Sequence, residues 1–176
     1  VRFLGVSNFD VAQTRAALAV TPIEAVQPRY SLLVREIEAE LLPLCRDRRI
    51  GVLAHSSLAK GLLSGRYDRG AAFGPADERS RMAAFEGEAF RRAIDVVEGL
   101  RELAAARGVT VSQLALAWVL RDPVVTCALV GPKRPDQVAE SMAAADLELG
   151  PEEVAAMDRL ADGNEPALGA FDARAR

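Results

Sequence analysis

The chain has 176 residues, with 22 lysines and arginines against 25 aspartates and glutamates spread evenly along it, for a formal net charge of −3. That balance excludes a basic nucleic-acid surface and a polybasic membrane anchor, and no run of about 18 apolar residues marks a transmembrane helix. The length suits one domain with a real core.

Phe3-Leu4-Gly5-Val6 is a short apolar run, fit for a strand buried on both faces and ended by Ser7-Asn8. Asp10 is a good N-cap and predicts a helix over 11–19, which Thr21-Pro22 breaks. A second strand is expected over 23–27, closed by Pro28. A helix over 37–48 places Leu41, Leu42, Leu44 and Cys45 on its apolar face. Arg46, Arg48 and Arg49 cluster at its C-terminal end, where the helix dipole favours cations. A third strand follows over 50–54.

Residues 64–87 are rich in Gly, Arg and Asp and lack periodicity. A long irregular stretch in a compact domain is functional, disordered or wrongly assigned. The part from 67 to 85, with Arg79 and Arg81, reads equally as a solvated loop or as one reaching over a ligand. An amphipathic helix over 89–107 is stopped by Gly108. Thr110-Val111-Ser112-Gln113 is a capping box that opens a helix to about residue 121, ended by Asp122-Pro123. Trp118, near Leu114, Leu116 and Leu120, reads as core. The fourth strand is expected over 125–130. Pro135 and Pro151 each suit the first turn of a helix, reaching to about residues 145 and 161. The tail after Gly163 is expected to be loose. Cys45 and Cys127 lie in apolar elements and read as reduced core residues of a cytosolic protein, not as a disulfide or metal ligands.

Four strand–helix alternations imply a parallel sheet with right-handed crossovers. Periodicity alone leaves a small open α/β sheet and part of a barrel as alternatives. Four segments then stand at strand ends in a fixed order: Arg2-Phe3-Leu4-Gly5-Val6-Ser7-Asn8-Phe9, then 25–33 (AVQPRYSLL), then 50–65 (IGVLAHSSLAKGLLSG), then 128–135 (ALVGPKRP). Polar residues at the C-terminal ends of strands are where a parallel α/β barrel keeps its ligand site. Together the segments, from Arg2 to about Leu160, resemble the aldo-keto reductase family. The resemblance implies an α/β fold: the C-terminal half, (β/α) units 5–8, of a (β/α)8 TIM barrel with extra helices. The domain would span 1–162, and 163–176 would be a C-terminal tail.

The resemblance also implies the nicotinamide cofactor NADP. Ser7, Asn8 and Gln27 match the residues that hold the carboxamide, which needs both donors and acceptors. His55 stands where many members stack an aromatic residue on the nicotinamide ring. It is the only histidine, and it is not at the position of the family's catalytic histidine. Ser56, Leu58, Ala59, Lys60 and Gly61 match the pyrophosphate cradle, where backbone N–H groups, a hydroxyl and a cation suit a phosphate. Ser57 replaces the family's usual proline. Gly131, Lys133 and Arg134 match the element for the adenosine 2′-phosphate. Gln137 stands in the first turn of the next helix, at a cofactor-binding position often basic or Gln in the family, and Glu140 and Ser141 match the pair that contacts adenine, with Ser141 where Asn is common; Gln137 and Glu140 also read as a solvated helix face.

The family reduces an aldehyde or ketone with a tyrosine proton donor tuned by lysine and aspartate, and with a histidine that helps orient the carbonyl. All four belong to strands and loops earlier than these. Neither Tyr30, Tyr67, Lys60 nor Lys133 falls at such a position. The chain is therefore expected to be a fragment of a longer cytoplasmic protein and inactive alone, with no catalytic or metal-binding residue of its own. Its open barrel edges are expected to drive self-association. A non-catalytic NADP-binding regulatory or sensor subunit, and a self-assembling half-barrel, are the alternative functions.

Overall fold

A computed structural model describes residues 1–164 and 169–172. Four parallel strands form one sheet in the order in which they occur: β1 (Gly5–Ser7), β2 (Ala25–Gln27), β3 (Gly51–Ala54) and β4 (Val125–Ala128). The register is continuous from Gly5 beside Ala25 to Ala25 beside Gly51; a bulge between Val52 and Leu53 offsets β4. Every strand is shorter than the span expected from the sequence.

The helices follow their local signals. Helix α1 (Val11–Val20) opens on a capping box: the Gln13 N–H donates to Asp10 Oδ1 at 2.7 Å and the Asp10 N–H to Gln13 Oε1 at 3.0 Å. The expected helix over 37–48 divides into a 3-10 turn at Glu36–Glu38 and helix α2 (Leu41–Arg48). Pro43 is the reason. It has no N–H and its ring excludes a helical carbonyl four residues back, so it fits only in a first turn. Helix α3 (Gly87–Arg107) ends on Gly108 at φ +66°. Helix α4 (Val111–Leu120) carries the Thr110–Gln113 capping box and meets α3 at 94°. Helix α5 (Pro135–Ala143) runs into a 3-10 turn at Ala144–Asp146, and helix α6 (Pro151–Ala161) closes the order. Among the described residues, no single helix is long and apolar enough to cross a membrane.

The core lies between β2–β4 and the helices α2, α3, α4 and α6, around Leu32, Leu33, Leu62, Leu63, Ile94, Leu100, Leu114 and Met157. Each such side chain contributes about 1.5–3 kcal/mol by leaving water. Trp118 is fully buried among them. Its indole N–H donates to Asp158 Oδ1 at 3.0 Å, and the Arg121 guanidinium lies 3.6 Å from the ring centroid. Cys45 is buried with a free thiol, pushed up to about 11 by that burial, and Cys127 is half-buried and free.

Two further expectations change. The first strand is not buried on both faces: Phe3 is 71% exposed, and Leu4, Phe9 and Val20 are exposed as well. Among the described residues the sheet ends at β1, with no strand paired to its outer edge. The other end is similar, with Leu129, Val130, Val138 and Met142 exposed beside β4 and along α5. The tail is not loose throughout. In the described turn 169–172, Ala170 and Phe171 are buried, the Ala170 carbonyl accepts from the Ala84 N–H at 2.9 Å, and Arg29 pairs with Asp172 at 2.5 Å.

Candidate functional site

All four strands run the same way, so the segments that follow them gather at one end of the sheet. At the tip of β1 the Asn8 N–H donates to the Gln27 carbonyl at 3.1 Å, and the Ser7 hydroxyl donates to the same carbonyl at 3.2 Å. At the tip of β3, His55 bridges the chain: Nε2 lies 2.7 Å from Asn8 Oδ1 and Nδ1 lies 3.0 Å from Ser56 Oγ. Ser7, Asn8, Gln27, His55 and Ser56 are thus one hydrogen-bonded series across three strand ends.

Beyond Ser56 opens a cleft of about 940 Å³, at the upper end of the roughly 300–1,000 Å³ typical of small-molecule sites. Ser56, Leu58, Lys60 and Gly61 line one side; Gly131, Lys133, Arg134, Gln137, Glu140 and Ser141 line the other. Ala59 is buried beneath the first loop. Ser7, Asn8, Gln27 and His55 lie outside this lining and adjoin it through Ser56.

The loop after β3 is held in an uncommon backbone. Ser56, Ala59 and Lys60 have φ of +56°, +48° and +57°, and Gly61 follows at +98°. A left-handed non-glycine residue costs on the order of 1–2 kcal/mol. Internal bonds hold it there: the Ala59 N–H donates to the Ser56 carbonyl at 2.7 Å, and the Gly61 N–H to the Leu58 carbonyl at 2.8 Å. Those two N–H groups, expected in an anion cradle, are turned into the loop. The loop instead presents the Ser56 hydroxyl and the Lys60 ammonium to the cleft.

Three cations of the cleft come paired. Lys60 Nζ lies 3.2 Å from Glu78 Oε1, Arg79 pairs with Asp77 at 2.5 Å, and Arg134 pairs with Asp136 at 2.7 Å. The Arg79 side chain, its backbone N–H and then Lys133 hold Asp77 down to about 2. Burial lowers His55 below the ordinary histidine range, helped by the charges of Arg29 and Lys60.

The irregular stretch supplies residues that sequence reading left open or missed. Tyr67 and Arg79 line the cleft with their side chains joined by a hydrogen bond, and Asp77 and Glu78 join them. Only the acidic–basic run at 77–81 in an aperiodic segment hinted at this. Ser112 also lines the cleft; it sits inside a capping box, and nothing in its own sequence marks it.

Parallel β/α units with a polar cleft at the strand tips define an α/β-barrel type of ligand-binding protein. A sequence model of the Aldo/keto reductase family matches residues 1–162, and the chain belongs to that family. It is 34% identical over 165 residues to the NADH-specific methylglyoxal reductase of Escherichia coli, covering 94% of this chain and 50% of that protein. Glycerol dehydrogenase from Gluconobacter oxydans superposes with a TM-score of 0.84 at 32% identity, covering 93% of this chain and 50% of its own. An aldo/keto reductase from Klebsiella pneumoniae, solved with NADP and acetate, superposes with a TM-score of 0.67 at 32% identity over 94% of this chain and 50% of its own. The chain spans about half the length of the relatives it matches, and its fold is half of a (β/α)8 barrel.

Proposed function

We propose that this chain is the cofactor-binding half, units 5–8, of a cytoplasmic NADP(H)-dependent aldo-keto reductase acting on small aldehydes or ketones, with residues 1–162 as its domain and 163–176 as its tail. The observation that carries this is the continuity of the site. The bonded series from Ser7 to Ser56 leads into one cleft, and both loops expected at phosphates line that cleft. The residues suit a dinucleotide in size and chemistry. Ser7, Asn8 and Gln27 would hold the carboxamide, and His55 would wall the ring. Ser56, Leu58, Lys60 and Gly61 would hold the pyrophosphate over the buried Ala59. Gly131, Lys133 and Arg134 would take the adenosine phosphate with Gln137 beside them in the first turn of α5, and Glu140 and Ser141 the adenine. The bound cofactor supplies a hydride for the carbonyl carbon.

The proton donor is a different matter. Tyr30 is fully buried; its hydroxyl donates to Glu38 Oε1 at 2.6 Å, and burial with Glu38 raises its pKa well above the ordinary tyrosine range. It neither reaches the cleft nor releases a proton easily. Tyr67 sits at the phosphate end beside Gly61, bonded to Arg79. The acid and its tuning residues therefore belong to the other half of the barrel, which would cover the exposed apolar edges at β1 and β4. This chain alone has no turnover.

Fluorescence titration with NADPH tests the reading: saturable binding is expected, with no carbonyl reduction. Replacing Lys133 and Arg134 by Ala should erase any preference for NADPH over NADH. Unchanged preference would reject the 2′-phosphate assignment.

A further inference from the structure

We propose that Asp136 sets how strongly this chain distinguishes a 2′-phosphorylated adenosine from one with a free 2′-hydroxyl, by holding Arg134 in an internal ion pair. The inference rests on the nucleotide reading above.

Arg134 donates from Nε to Asp136 Oδ1 at 3.0 Å and from Nη2 to Oδ2 at 2.7 Å. Two parallel bonds to two carboxylate oxygens occupy one whole edge of the guanidinium fork, the geometry by which arginine grips a phosphate. The pair is presented from a held turn. The Lys133 N–H donates to Gln137 Oε1 at 2.7 Å, the Gln137 N–H donates to the Arg134 carbonyl at 3.2 Å, and Pro135 fixes the backbone between the two partners. The partners are 55% and 65% exposed at the cleft rim, so either can be exchanged for a ligand group without unpacking the protein.

Charge around the pair has the same sense. Glu140 acts on Arg134 from the next turn of α5, and Lys133 acts on Asp77 across the cleft. Arg134 thus has Asp136 and Glu140 near it, while Lys133 faces Asp77, which Arg79 already pairs. A phosphate monoester brings about −1.5 to −2 charges at neutral pH. It must displace Asp136 from Arg134 and then sit beside that carboxylate. A 2′-hydroxyl needs no such exchange and can donate to Asp136 as it stands. Asp136 thus weakens the phosphorylated cofactor selectively.

The test is calorimetric titration of the chain with NADPH and with NADH, comparing the original sequence with Asp136→Asn and Asp136→Ala. Both variants should raise the ratio of NADPH to NADH affinity about three- to fivefold at low salt, with a smaller gain at high salt. Circular dichroism melts verify that the exposed substitutions leave the fold intact. An unchanged ratio in both variants, with NADH binding retained, overturns this inference and leaves the cofactor reading standing. Failure of the original chain to bind either nucleotide overturns both.

Discussion

His55 and Asn8 are 47 residues apart in sequence, yet Nε2 of one lies 2.7 Å from Oδ1 of the other. The bond ties the tip of β3 to the tip of β1 across the intervening strand. Asn8 sits at φ +57°, a left-handed conformation that asparagine tolerates better than most residues. With the amide oxygen as acceptor, Nε2 carries the imidazole proton, and Nδ1 accepts from the Ser56 hydroxyl. Burial and the charges of Arg29 and Lys60 favour that neutral form.

This neutrality predicts a pH dependence. The unfolded chain binds a proton on His55 near pH 6.5, whereas burial and the nearby Arg29 and Lys60 lower its pKa in the folded chain. Between those two values the unfolded state holds more protons, so stability falls as pH drops below about 6.5 and this group has no effect above it. His55 is the only histidine, so one imidazole resonance reports it. Titration by NMR at or above the ordinary value would contradict the structure.

Trp118 joins hydrophobic and ionic parts of the core. Arg121 and Arg35 lie 3.6 Å and 5.1 Å from its ring centroid, and its N–H reaches Asp158. Trp118→Phe should cost about 2–4 kcal/mol, since it shrinks a packed ring, removes a hydrogen bond and weakens two cation–π contacts. Urea unfolding measures it. Tyr30→Phe, which removes only the bond to Glu38 and the one accepted from Arg121, should cost about 1–2 kcal/mol.

Gly65 closes the loop after β3 at φ +72°, and a Cβ there would stand 3.0 Å from the Cβ of Val111. Gly65→Ala is strained twice, by conformation and by contact, and should lower stability by about 1–2 kcal/mol. Gly74→Ala, where a Cβ meets nothing within 4 Å, should be close to neutral. Equal melting shifts in the two variants would contradict this placement.

Phe171 anchors the turn 169–172 against Phe85, with ring centroids 6.4 Å apart. Phe171→Ala should cost about 3 kcal/mol and make the tail more sensitive to proteolysis. Asp172→Asn, which weakens the partly exposed pair with Arg29, should cost no more than about 1 kcal/mol.

The uncovered edges predict association. Phe3 and Leu4 at one end and Leu129 and Val130 at the other are exposed apolar residues flanking the two edge strands of the sheet. Sedimentation should show self-association that rises with concentration and falls in Phe3→Lys/Val130→Lys. A monodisperse monomer at all concentrations would rule it out.

Much of this chain is written locally. The caps at Asp10 and Thr110, the stop at Gly108 and the starts at Pro135 and Pro151 each need only a few neighbouring residues, and each stands as the sequence implies. The order of the four strands is likewise legible, because strand–helix alternation admits few parallel arrangements. Ser56 and Arg134 could be nominated for one cleft because both follow strands of one parallel sheet.

Tertiary structure decided the rest. Phe3 and Leu4 form an apolar run in any context, but whether it is covered depends on what stands beside β1. Glu78 meets Lys60 across 18 residues and Asp172 meets Arg29 across 143, distances over which hydrophobic periodicity carries no information. Local sequence determined which elements form and which polar side chains end them, since caps and periodicity act within a turn or two. Only long-range packing brought Lys60 to Glu78 and Arg29 to Asp172, whereas Arg79 and Arg134 each meet an aspartate two residues away.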